Sequence, residues 1–351
     1  MAKIVLITDT HFGVRINSEH FHDNMQMFYE NVFFPYLQSH DDIDGVIHLG
    51  DVFDDRRKID VNTASRARQY FFEPMHSWLN SLDITCHVIL GNHDSFYRDS
   101  LDVNTLDEFI KNQTFLGTGR RRFQIHSSCI EIPEWDCIFV PWITKNNRYV
   151  FENKLANTKS SYLFGHLELA GFNFSKVQVA NHGDDPQTLA KFKRVFSGHY
   201  HYPHSRGNIS YLGSPTEHTW IDLDTKRGFY IFDTVSGELE FIENPYNIFQ
   251  SVEYGEQLED NHPRYFRLYR TGEEKQSEVD NYIKTLYQNH KAISVDVIIK
   301  NMGKDVKQTI SESSESIDNI EDTPTFIRNN VEETSIADIL IGLYNRAMVE
   351  A

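Results

Sequence analysis

The chain has 351 residues, 40% of them hydrophobic, which is enough for one catalytic domain and a small second domain. Its net charge of −17 argues against a protein that coats nucleic acid by electrostatics alone, because such binding depends on Lys and Arg. No apolar run reaches the roughly 20 residues of a membrane-spanning helix, and the three cysteines form no C-x-x-C pair. We therefore expect a cytoplasmic protein with neither a disulfide framework nor a thiolate zinc site.

Between residue 1 and about residue 245, short β-branched and aromatic runs alternate with longer helical stretches, a pattern typical of a layered α/β domain. The predicted strands are residues 3–8, 45–49, 87–90, 137–140, 162–165, 194–197, 209–212 and 228–232. Residues 20–37 and 61–82 are predicted to form amphipathic helices that cover the sheet. Most residues of chemical interest follow directly after a predicted strand.

A smaller second unit is predicted after this domain of residues 1–245. Residues 246–300 contain a predicted strand at 265–269, a helix at 279–287 and a strand at 293–299, and we interpret them as a cap domain. Residues 301–322 contain six acidic residues, several serines and few large apolar groups. That composition is typical of a linker.

The last predicted element is a helical segment at residues 323–351. Thr323 and Pro324 are typical of a helix start, and Ser335 with Asp338 resembles a capping box. Apolar residues then recur along one helical face at Ile336, Ile339, Leu340, Leu343, Tyr344 and Ala347. Because the acidic linker separates this face from the cap, we expect it to dock on a partner protein. Packing back on the cap is the alternative.

Five short clusters place metal-ligand side chains at the ends of predicted strands, four of them beside a glycine. In chain order they are Asp9-Thr10-His11, Gly50-Asp51, Gly91-Asn92-His93-Asp94, Gly165-His166 and Ser197-Gly198-His199-Tyr200-His201. Imidazole nitrogens and carboxylate oxygens suit Mn, Fe, Zn or Co. Each cluster alone is also an ordinary turn. Together they favour one metal site, since open α/β sheets gather ligands beyond the carboxyl ends of their strands.

The motifs D-x-H, G-D-x-x-D, G-N-H-D, G-H and G-H-x-H, in this order, resemble those of the calcineurin-like metallophosphoesterases. Within that superfamily, G-D-V-F-D and G-N-H-D, with a cap and C-terminal helices, are most similar to the SbcD-type nuclease subunits of bacteria and phages. The resemblance is strong over about residues 3–232. It implies a four-layer α/β fold, a β-sandwich flanked by helices, with a small α+β cap domain and C-terminal helices.

The same resemblance implies a set of metal ligands. Seven side chains are involved: Asp9, His11 and His201 for one ion, Asn92, His166 and His199 for the other, and Asp51 as the bridge between them. We expect two divalent ions, Mn²⁺ or alternatively Mg²⁺. Such a pair polarises phosphoryl oxygens and stabilises the leaving oxygen of an in-line displacement.

His93 and Asp94 are the predicted catalytic residues. His93 lies beside Asn92 without being an implied ligand, so it can face the phosphate and steady or protonate the leaving oxygen. We expect Asp94 to orient His93, with a turn-capping role as the alternative. Asp54 stands where eukaryotic and archaeal relatives tend to have histidine, so we expect a structural role for it. Other histidines have no predicted role, and they include His48, His126, His204 and His218.

The function that the resemblance implies is a DNA nuclease, a 3′-to-5′ exonuclease on duplex ends and an endonuclease on single strands. It implies an SbcC-like coiled-coil ATPase as partner, in DNA-end processing and recombination in a bacterial or phage-infected cell. We also expect a homodimer, formed through helices at 61–82 and 104–115. Basic runs at 56–58 and 120–122 can offset the acidic charge near DNA, although solvated surface is the plainer interpretation.

Two other functions stay open. A phosphatase or a small-molecule or cyclic-nucleotide phosphodiesterase shares the metal cluster, because a fold does not determine its substrate. The G-D-x-V-D-R-G and G-N-H-E motifs of protein phosphatases differ from residues 50–56 and 91–94 here. The usual shorter architecture of a cyclic-nucleotide phosphodiesterase would leave the cap and terminal helices unexplained. A non-catalytic scaffold that recruits an ATPase is disfavoured, because every expected ligand is present.

Overall fold

The computed structural model describes residues 2–111, 122–259 and 262–300. The predicted linker at 301–322, the helical segment at 323–351, and Arg120 and Arg121 lie outside these residues. The described strands are β1 (Lys3–Ile7), β2 (Gly45–His48), β3 (Cys86–Ile89), β4 (Phe123–His126), β5 (Ile130–Ile132), β6 (Cys137–Val140), β7 (Tyr162–His166), β8 (Arg194–Gly198), β9 (His204–Arg206), β10 (Ile209–Tyr211), β11 (Arg227–Asp233), β12 (Leu239–Asn244), β13 (Phe249–Glu253), β14 (Arg264–Arg270) and β15 (Ala292–Ile299).

These strands form three sheets. The first has the order β12-β11-β1-β2-β3-β4, with β1 to β4 parallel to one another and β11 antiparallel to both of its neighbours, β1 and β12. The second has the order β5-β6-β7-β8-β10-β9, with β6, β7, β8 and β10 parallel. The third has the order β13-β14-β15. Two largely parallel sheets therefore each bring several strand ends to one edge.

The two large sheets pack face to face. Residues of one face of the first sheet, such as Ile4 and Leu6, share a buried cluster with Phe139, Phe164 and Phe196 of the second sheet. The alternate residues of β1 point to the other face, as the period of two in a strand requires, and pack among the helices. A separate cluster covers the outer face of the second sheet. The α/β fold expected from the sequence is confirmed.

Helices cover the outer faces of this sandwich. The α-helices are α1 (Glu19–Phe28), α2 (Phe34–Gln38), α3 (Val61–Ala67), α4 (Glu73–Leu82), α5 (Arg148–Asn157) and α6 (Gln276–Asn289). Shorter turns are π-helical at Tyr29–Phe33, Arg68–Phe72 and Asp107–Lys111, and 3₁₀ at Pro133–Trp135, Pro186–Leu189 and Trp220–Asp222. The predicted helices at 20–37 and 61–82 are confirmed, each with a π-helical turn inside it. Each of these two turns ends two residues before a proline, Pro35 or Pro74, which cannot donate a helical hydrogen bond.

The eight predicted strands of the first domain are present with ends shifted by at most about two residues. Sequence patterns missed five others: β4, β5, β9, β12 and β13. Two of these have only three residues, and β12 exposes polar residues between its apolar ones. Strands this short or this polar lack the apolar pattern on which the prediction depends.

The third sheet and α6 have their own small core of Val252, Phe266, Leu268, Val279 and Leu286. The larger of the chain's two compact units spans Met1–Leu268 and Gln276–Asp296, and every site residue discussed below belongs to it. The described residues of the smaller unit are 269–275 and 297–300. In the part of the chain that the structure describes, no helix is long and apolar enough to cross a membrane.

Candidate metal centre

The predicted ligands lie at the ends of neighbouring parallel strands. Asp9 follows β1, Asp51 follows β2 and Asn92 follows β3, while His166 ends β7 and His199 follows β8. Backbone hydrogen bonds join the first two loops, from the Asp9 N–H to the Gly50 carbonyl (2.9 Å) and from the His11 N–H to the Asp51 carbonyl (3.1 Å). The structure thus brings together clusters that are almost 200 residues apart in sequence.

Asp9, His11 and His201 form the first donor group, in which one donor atom of each residue lies within 4.8 Å of the others. Nδ1 of His11 lies 3.1 Å from Oδ1 of Asp54, which leaves Nε2 to face the group. That Nε2 is buried and has no hydrogen-bond partner. A buried nitrogen without a partner is costly in a folded protein, and a bound cation removes that cost. The donor set therefore fits a divalent metal.

The second donor group contains Asp51, His166 and His199. The His166 Nδ1–H donates to the Leu49 carbonyl (2.7 Å), so Nε2 is the nitrogen that faces the group. Oδ1 of Asn92 lies 3.0 Å from this Nε2 and 2.9 Å from Nδ1 of His199. Amide oxygen, carboxylate oxygen and two imidazole nitrogens thus converge, which also suits a divalent ion.

Asp51 lies between the two groups. Its Oδ2 is 3.7 Å from Nε2 of His11 in the first group and 3.2 Å from Nε2 of His166 in the second. Its Oδ1 accepts a hydrogen bond of 2.7 Å from the His93 N–H, which fixes the carboxylate. A single oxygen within reach of both groups is the geometry that a bridging ligand needs.

The electrostatics of the centre are those of buried carboxylates that require nearby positive charge. Burial raises the pKa of Asp9. Burial also opposes ionisation of Asp51, but attraction to His166 outweighs it and holds the pKa of Asp51 well below its usual range. Burial lowers the pKa of His166, and Asp51 more than reverses this and raises it to about 9. A divalent cation provides the same compensation without protonating a histidine.

Four predicted ligands have strained backbones. Asp9, His11, Asp51 and His199 have φ values of 50°, 43°, 54° and 88°, in the left-handed region that residues with a side chain rarely adopt. Each such residue costs on the order of 1–3 kcal/mol and persists only where its surroundings hold it in place. The concentration of strain here is typical of a functional site.

Glycines allow the donor loops to approach one another. A Cβ atom at Gly50 would lie 2.6 Å from Nδ1 of His166, and one at Gly91 would lie 2.5 Å from the Asp51 backbone nitrogen. Both distances are far below van der Waals contact. These positions therefore exclude a side chain for steric reasons, as their place in the motifs suggested.

His93 projects beside the first donor group. Its Nδ1–H donates to the Asp54 carbonyl at 2.5 Å, and its ring centroid lies 4.8 Å from that of His11. The carbonyl contact fixes the proton on Nδ1 and leaves Nε2 to act as the functional nitrogen. His93 also belongs to a group with His11 and Asp54 whose donor atoms lie within 4.8 Å of one another, so its position leaves it free either to face a substrate or to approach a metal.

The expected contact between Asp94 and His93 was wrong. The Asp94 carboxylate accepts hydrogen bonds from the N–H groups of Asp51 (2.8 Å), Val52 (2.9 Å) and Gly91 (2.8 Å). It is fully buried, and burial followed by repulsion from Asp51 raises its pKa to about 6. Asp94 therefore joins the loops after β2 and β3, because three converging amides attract the carboxylate inwards and away from His93.

Several residues without a predicted role also contact the centre. Oε1 of Glu168 lies 3.7 Å from Nε2 of His199, and the Trp142 ring lies 4.9 Å from the His199 ring. His218 packs 5.3 Å from His11, and His48 lies 3.1 Å from the Thr10 hydroxyl. Glu168 follows His166 by two residues and could have been noticed, whereas Trp142 lies in a loop that carries no motif.

Two open clefts adjoin the donor atoms. The larger, of about 390 Å³, is lined by residues that include His199, His201, Phe174 and Ile221. The smaller, of about 280 Å³, is lined by residues that include Arg56, Asn92, Tyr97, Arg98 and His199. Both clefts border His199 and leave room for substrate beside the centre.

Of the two basic runs in the sequence, at 56–58 and 120–122, the first has a residue beside this centre. A guanidinium N–H of Arg56 donates to the Asn92 carbonyl at 2.9 Å, beside the donor atoms. Arg122 is buried and pairs instead with Asp83 and Asn80. The expectation that this arginine offsets charge near DNA was therefore wrong, because its side chain is used to hold the end of α4.

Comparison with known proteins agrees with this geometry. The sequence profile of the calcineurin-like phosphoesterases matches residues 2–203. The chain is 29% identical over 248 residues to exonuclease subunit 1 of Enterobacteria phage T4, covering 69% of this chain and 68% of the phage protein. A solved structure described as a novel archaeal phosphodiesterase covers 69% of this chain and 99% of its own, at 13% identity and a TM-score of 0.34. That score is too low to support any argument.

Proposed function

We propose that this chain, which belongs to the calcineurin-like phosphoesterase family, is a two-metal DNA nuclease that acts on duplex ends and on single strands. Membership makes it a metal-dependent phosphodiesterase, and its family binds divalent metals. The phage relative is named an exonuclease subunit, which supports DNA as the substrate class. The observation that carries the proposal is the position of Asp51 Oδ2, 3.7 Å and 3.2 Å from a histidine nitrogen of each donor group.

We assign the seven ligands to two ions. Asp9, His11 and His201 would hold one, Asn92, His166 and His199 the other, and Asp51 would bridge them. Mn²⁺ is the proposed ion and Mg²⁺ the alternative, as the family resemblance implies, and the carboxylate and amide oxygens among the donors are compatible with either ion. When bound, such a pair polarises the phosphoryl oxygens and offsets the charge that develops on the leaving oxygen.

The chain's own residues would orient the substrate and move the proton. Nδ1 of His93 is held by the Asp54 carbonyl, so Nε2 would be presented towards the phosphate, and the imidazolium form of His93, which carries a proton on both nitrogens, would donate its Nε2 proton to the leaving oxygen. Asp54 also holds Nδ1 of His11, so one residue aligns both histidines. Asp94 acts on the reaction only by holding the backbone of Asp51. We therefore keep His93 as the proposed catalytic residue and assign Asp94 a positioning role.

The open clefts favour a polymer over a small phosphodiester. A nucleic-acid strand that crosses the centre needs room beyond the reacting phosphate, and the two clefts that border His199 would provide it. Arg56 adds positive charge beside Asn92 in a chain of net charge −17. A small-molecule or cyclic-nucleotide phosphodiesterase remains the alternative function, because it uses the same metal cluster.

The remaining assignments concern assembly. We propose a nuclease domain at 1–245, a cap at 246–300, a linker at 301–322 and a helical segment at 323–351 that docks on an SbcC-like ATPase. A homodimer through residues 61–82 and 104–115, of which 112–115 lie outside the described residues, is part of the same proposal. Deleting 324–351 should abolish co-purification with the ATPase and leave Mn-dependent cleavage of single strands intact. A complex that survives the deletion contradicts the docking role, and so does a truncated protein that fails to fold.

The experiment that tests the function compares three substrates with Mn²⁺: end-labelled duplex, single-stranded DNA and an aryl phosphodiester. The parent chain should cut both DNAs, and His93→Ala should cut them roughly 10²–10⁴ times more slowly while retaining its metal. A parent that cuts the aryl ester but neither DNA supports the small-molecule alternative instead. His20→Gln, an exposed histidine on α1, is the control and should cut at the parent rate.

A further inference from the structure

A strained turn follows the first metal-ligand motif. Val14–Asn17 forms a single turn in which Arg15, Ile16 and Asn17 have φ values of 58°, 59° and 57°. Three consecutive residues with side chains therefore adopt the left-handed conformation, which L-amino acids disfavour. Isoleucine is among the residues least suited to it, because its branched Cβ crowds the backbone.

The turn is held on several sides. The Asn17 N–H donates to the Gly13 carbonyl (2.8 Å), and the hydroxyl of Thr63 on α3 donates to Oδ1 of Asn17 (2.9 Å). The Val14 N–H donates to the carbonyl of the proposed ligand His11 (2.9 Å). The strained conformation is thus fixed by the loop before it and the helix beside it.

This rigid turn presents an apolar side chain to solvent. Ile16 is 96% exposed, more than any other large apolar residue that the structure describes. An exposed isoleucine side chain does not contribute the folding free energy that burial would provide. The left-handed backbone in addition lowers the stability of the fold. Ile16 therefore combines an exposed apolar side chain with a strained backbone that hydrogen bonds hold in place. Contact with a ligand explains this combination better than stability of the fold does.

The turn lies between the metal centre and an aromatic cleft. The Arg15 Nε–H donates to the His218 carbonyl (2.8 Å), and the His218 ring packs against His11 and His201. On its other side, Arg15 lines a cleft of about 280 Å³. The remaining residues of that cleft are Ser18, Phe21, Trp220, Phe249 and Tyr265.

We propose that Ile16 is a wedge that separates the two strands at the end of a DNA duplex. Apolar side chains of this kind enter between stacked bases and unstack them. The strand to be cut would pass to the metal centre, and the other strand would turn towards the aromatic cleft, whose rings can stack on unpaired bases. The proposal rests on the proposed DNA nuclease function and adds to it the device that opens paired ends.

The test uses three substrates that differ only in pairing at the cut end. They are a fully paired blunt duplex, the same duplex with three mismatched terminal pairs, and the single strand. Ile16→Asn removes the wedge and places at this position a residue that tolerates the left-handed conformation. We expect cleavage of the paired end to fall at least about tenfold, because unstacking is then unassisted. The mismatched duplex and the single strand should be cut at the parent rate.

Two control variants separate the wedge from general effects. Lys291→Asn relieves similar strain at another exposed residue, whose φ is 52°. Both Asn variants should unfold at slightly higher temperature than the parent, so loss of activity in Ile16→Asn cannot be ascribed to unfolding. Val177→Ala shortens another apolar side chain, 87% exposed, and should cut all three substrates at the parent rate.

Each other outcome overturns the wedge. Equal slowing on paired, mismatched and single-stranded substrates assigns Ile16 to general DNA binding. Unchanged rates on all three remove any role for it in DNA cleavage and leave a partner protein as its ligand. Failure of the parent chain to cut any DNA with Mn²⁺ contradicts the proposed function itself, and the wedge with it.

Discussion

The buried pair of His87 and His126 and the buried metal-centre residue His166 have opposite properties. His87 on β3 and His126 on β4 stack 5.1 Å apart, with Nδ1 of the first 2.9 Å from Nε2 of the second. Burial lowers the pKa of His87 to about 3 and that of His126 to about 4, so both are neutral. In the metal centre His166 is fully buried as well, yet Asp51 raises its pKa to about 9 against the effect of burial.

The difference shows which feature makes a histidine site suitable for a metal. Both groups are buried and both contain paired imidazoles, so burial and ring contact do not separate them. The His87 pair lies against Trp135 and Phe139, whereas the metal centre has Asp9 and Asp51. Carboxylates supply the negative charge that a cation needs, and strained loops aim the donors at one point. If this contrast holds, changes to the carboxylates of the centre should impair metal binding and cleavage, whereas changes to the His87 pair should affect only stability.

The largest effect should come from Asp51→Asn. The amide keeps the size of the side chain but removes the charge that both donor groups share, so Mn-dependent DNA cleavage should fall by more than roughly 10³-fold. Initial rates on single-stranded DNA measure this, and circular dichroism checks that the fold is retained. Cleavage near the parent rate in a folded variant would show that the ligand assignment is wrong.

A smaller effect is expected at Asp54, whose Oδ1 lies 3.1 Å from Nδ1 of His11. Asp54→Ala should weaken Mn²⁺ binding by roughly 10–100-fold, because His11 loses the partner that orients it. Calorimetric titration with Mn²⁺ measures the change. The control is Asp55→Ala, which removes an exposed carboxylate that caps the Arg57 N–H. Equal weakening in both variants contradicts a specific role for Asp54.

The His87 pair should affect stability and leave the chemistry unchanged. Its pKa values lie below the unfolded value of about 6.5, so the unfolded chain binds more protons as the pH falls. Stability from each neutral histidine is therefore present at pH 7 and is lost towards pH 4. Between pH 7 and pH 5 the parent should lose about 2 kcal/mol more than His87→Gln in urea unfolding. An identical pH dependence would show that the pair is not held neutral, and His20→Gln is the control.

Motifs at strand ends predicted that the clusters would meet, because parallel strands share an edge, and the family resemblance implied which of their residues are ligands. Asp9, Asp51, Asn92 and His166 illustrate this. The direction of a carboxylate was not predictable in the same way: Asp94 is adjacent to His93 in sequence, but its oxygens are drawn to three backbone amides. Such contacts depend on loop geometry that no residue pattern encodes.

The missed residues have the same physical explanation. Trp142 and His218 reach the centre from loops without a motif, since packing against His199 and His11 depends on how the two sheets face each other. Ile16 looks like an ordinary apolar residue in sequence, and its strain and exposure emerge only from the backbone. The short strand β5 and the polar edge strand β12 were missed because neighbouring strands stabilise them.

The central claim is that two ions share Asp51. X-ray diffraction from Mn-soaked crystals, recorded at the manganese absorption edge, tests it most directly. We expect two anomalous peaks about 3.5–4 Å apart, one beside His11 and one beside His166, with Asp51 in contact with both. A single peak, or two peaks that Asp51 does not join, would contradict the account.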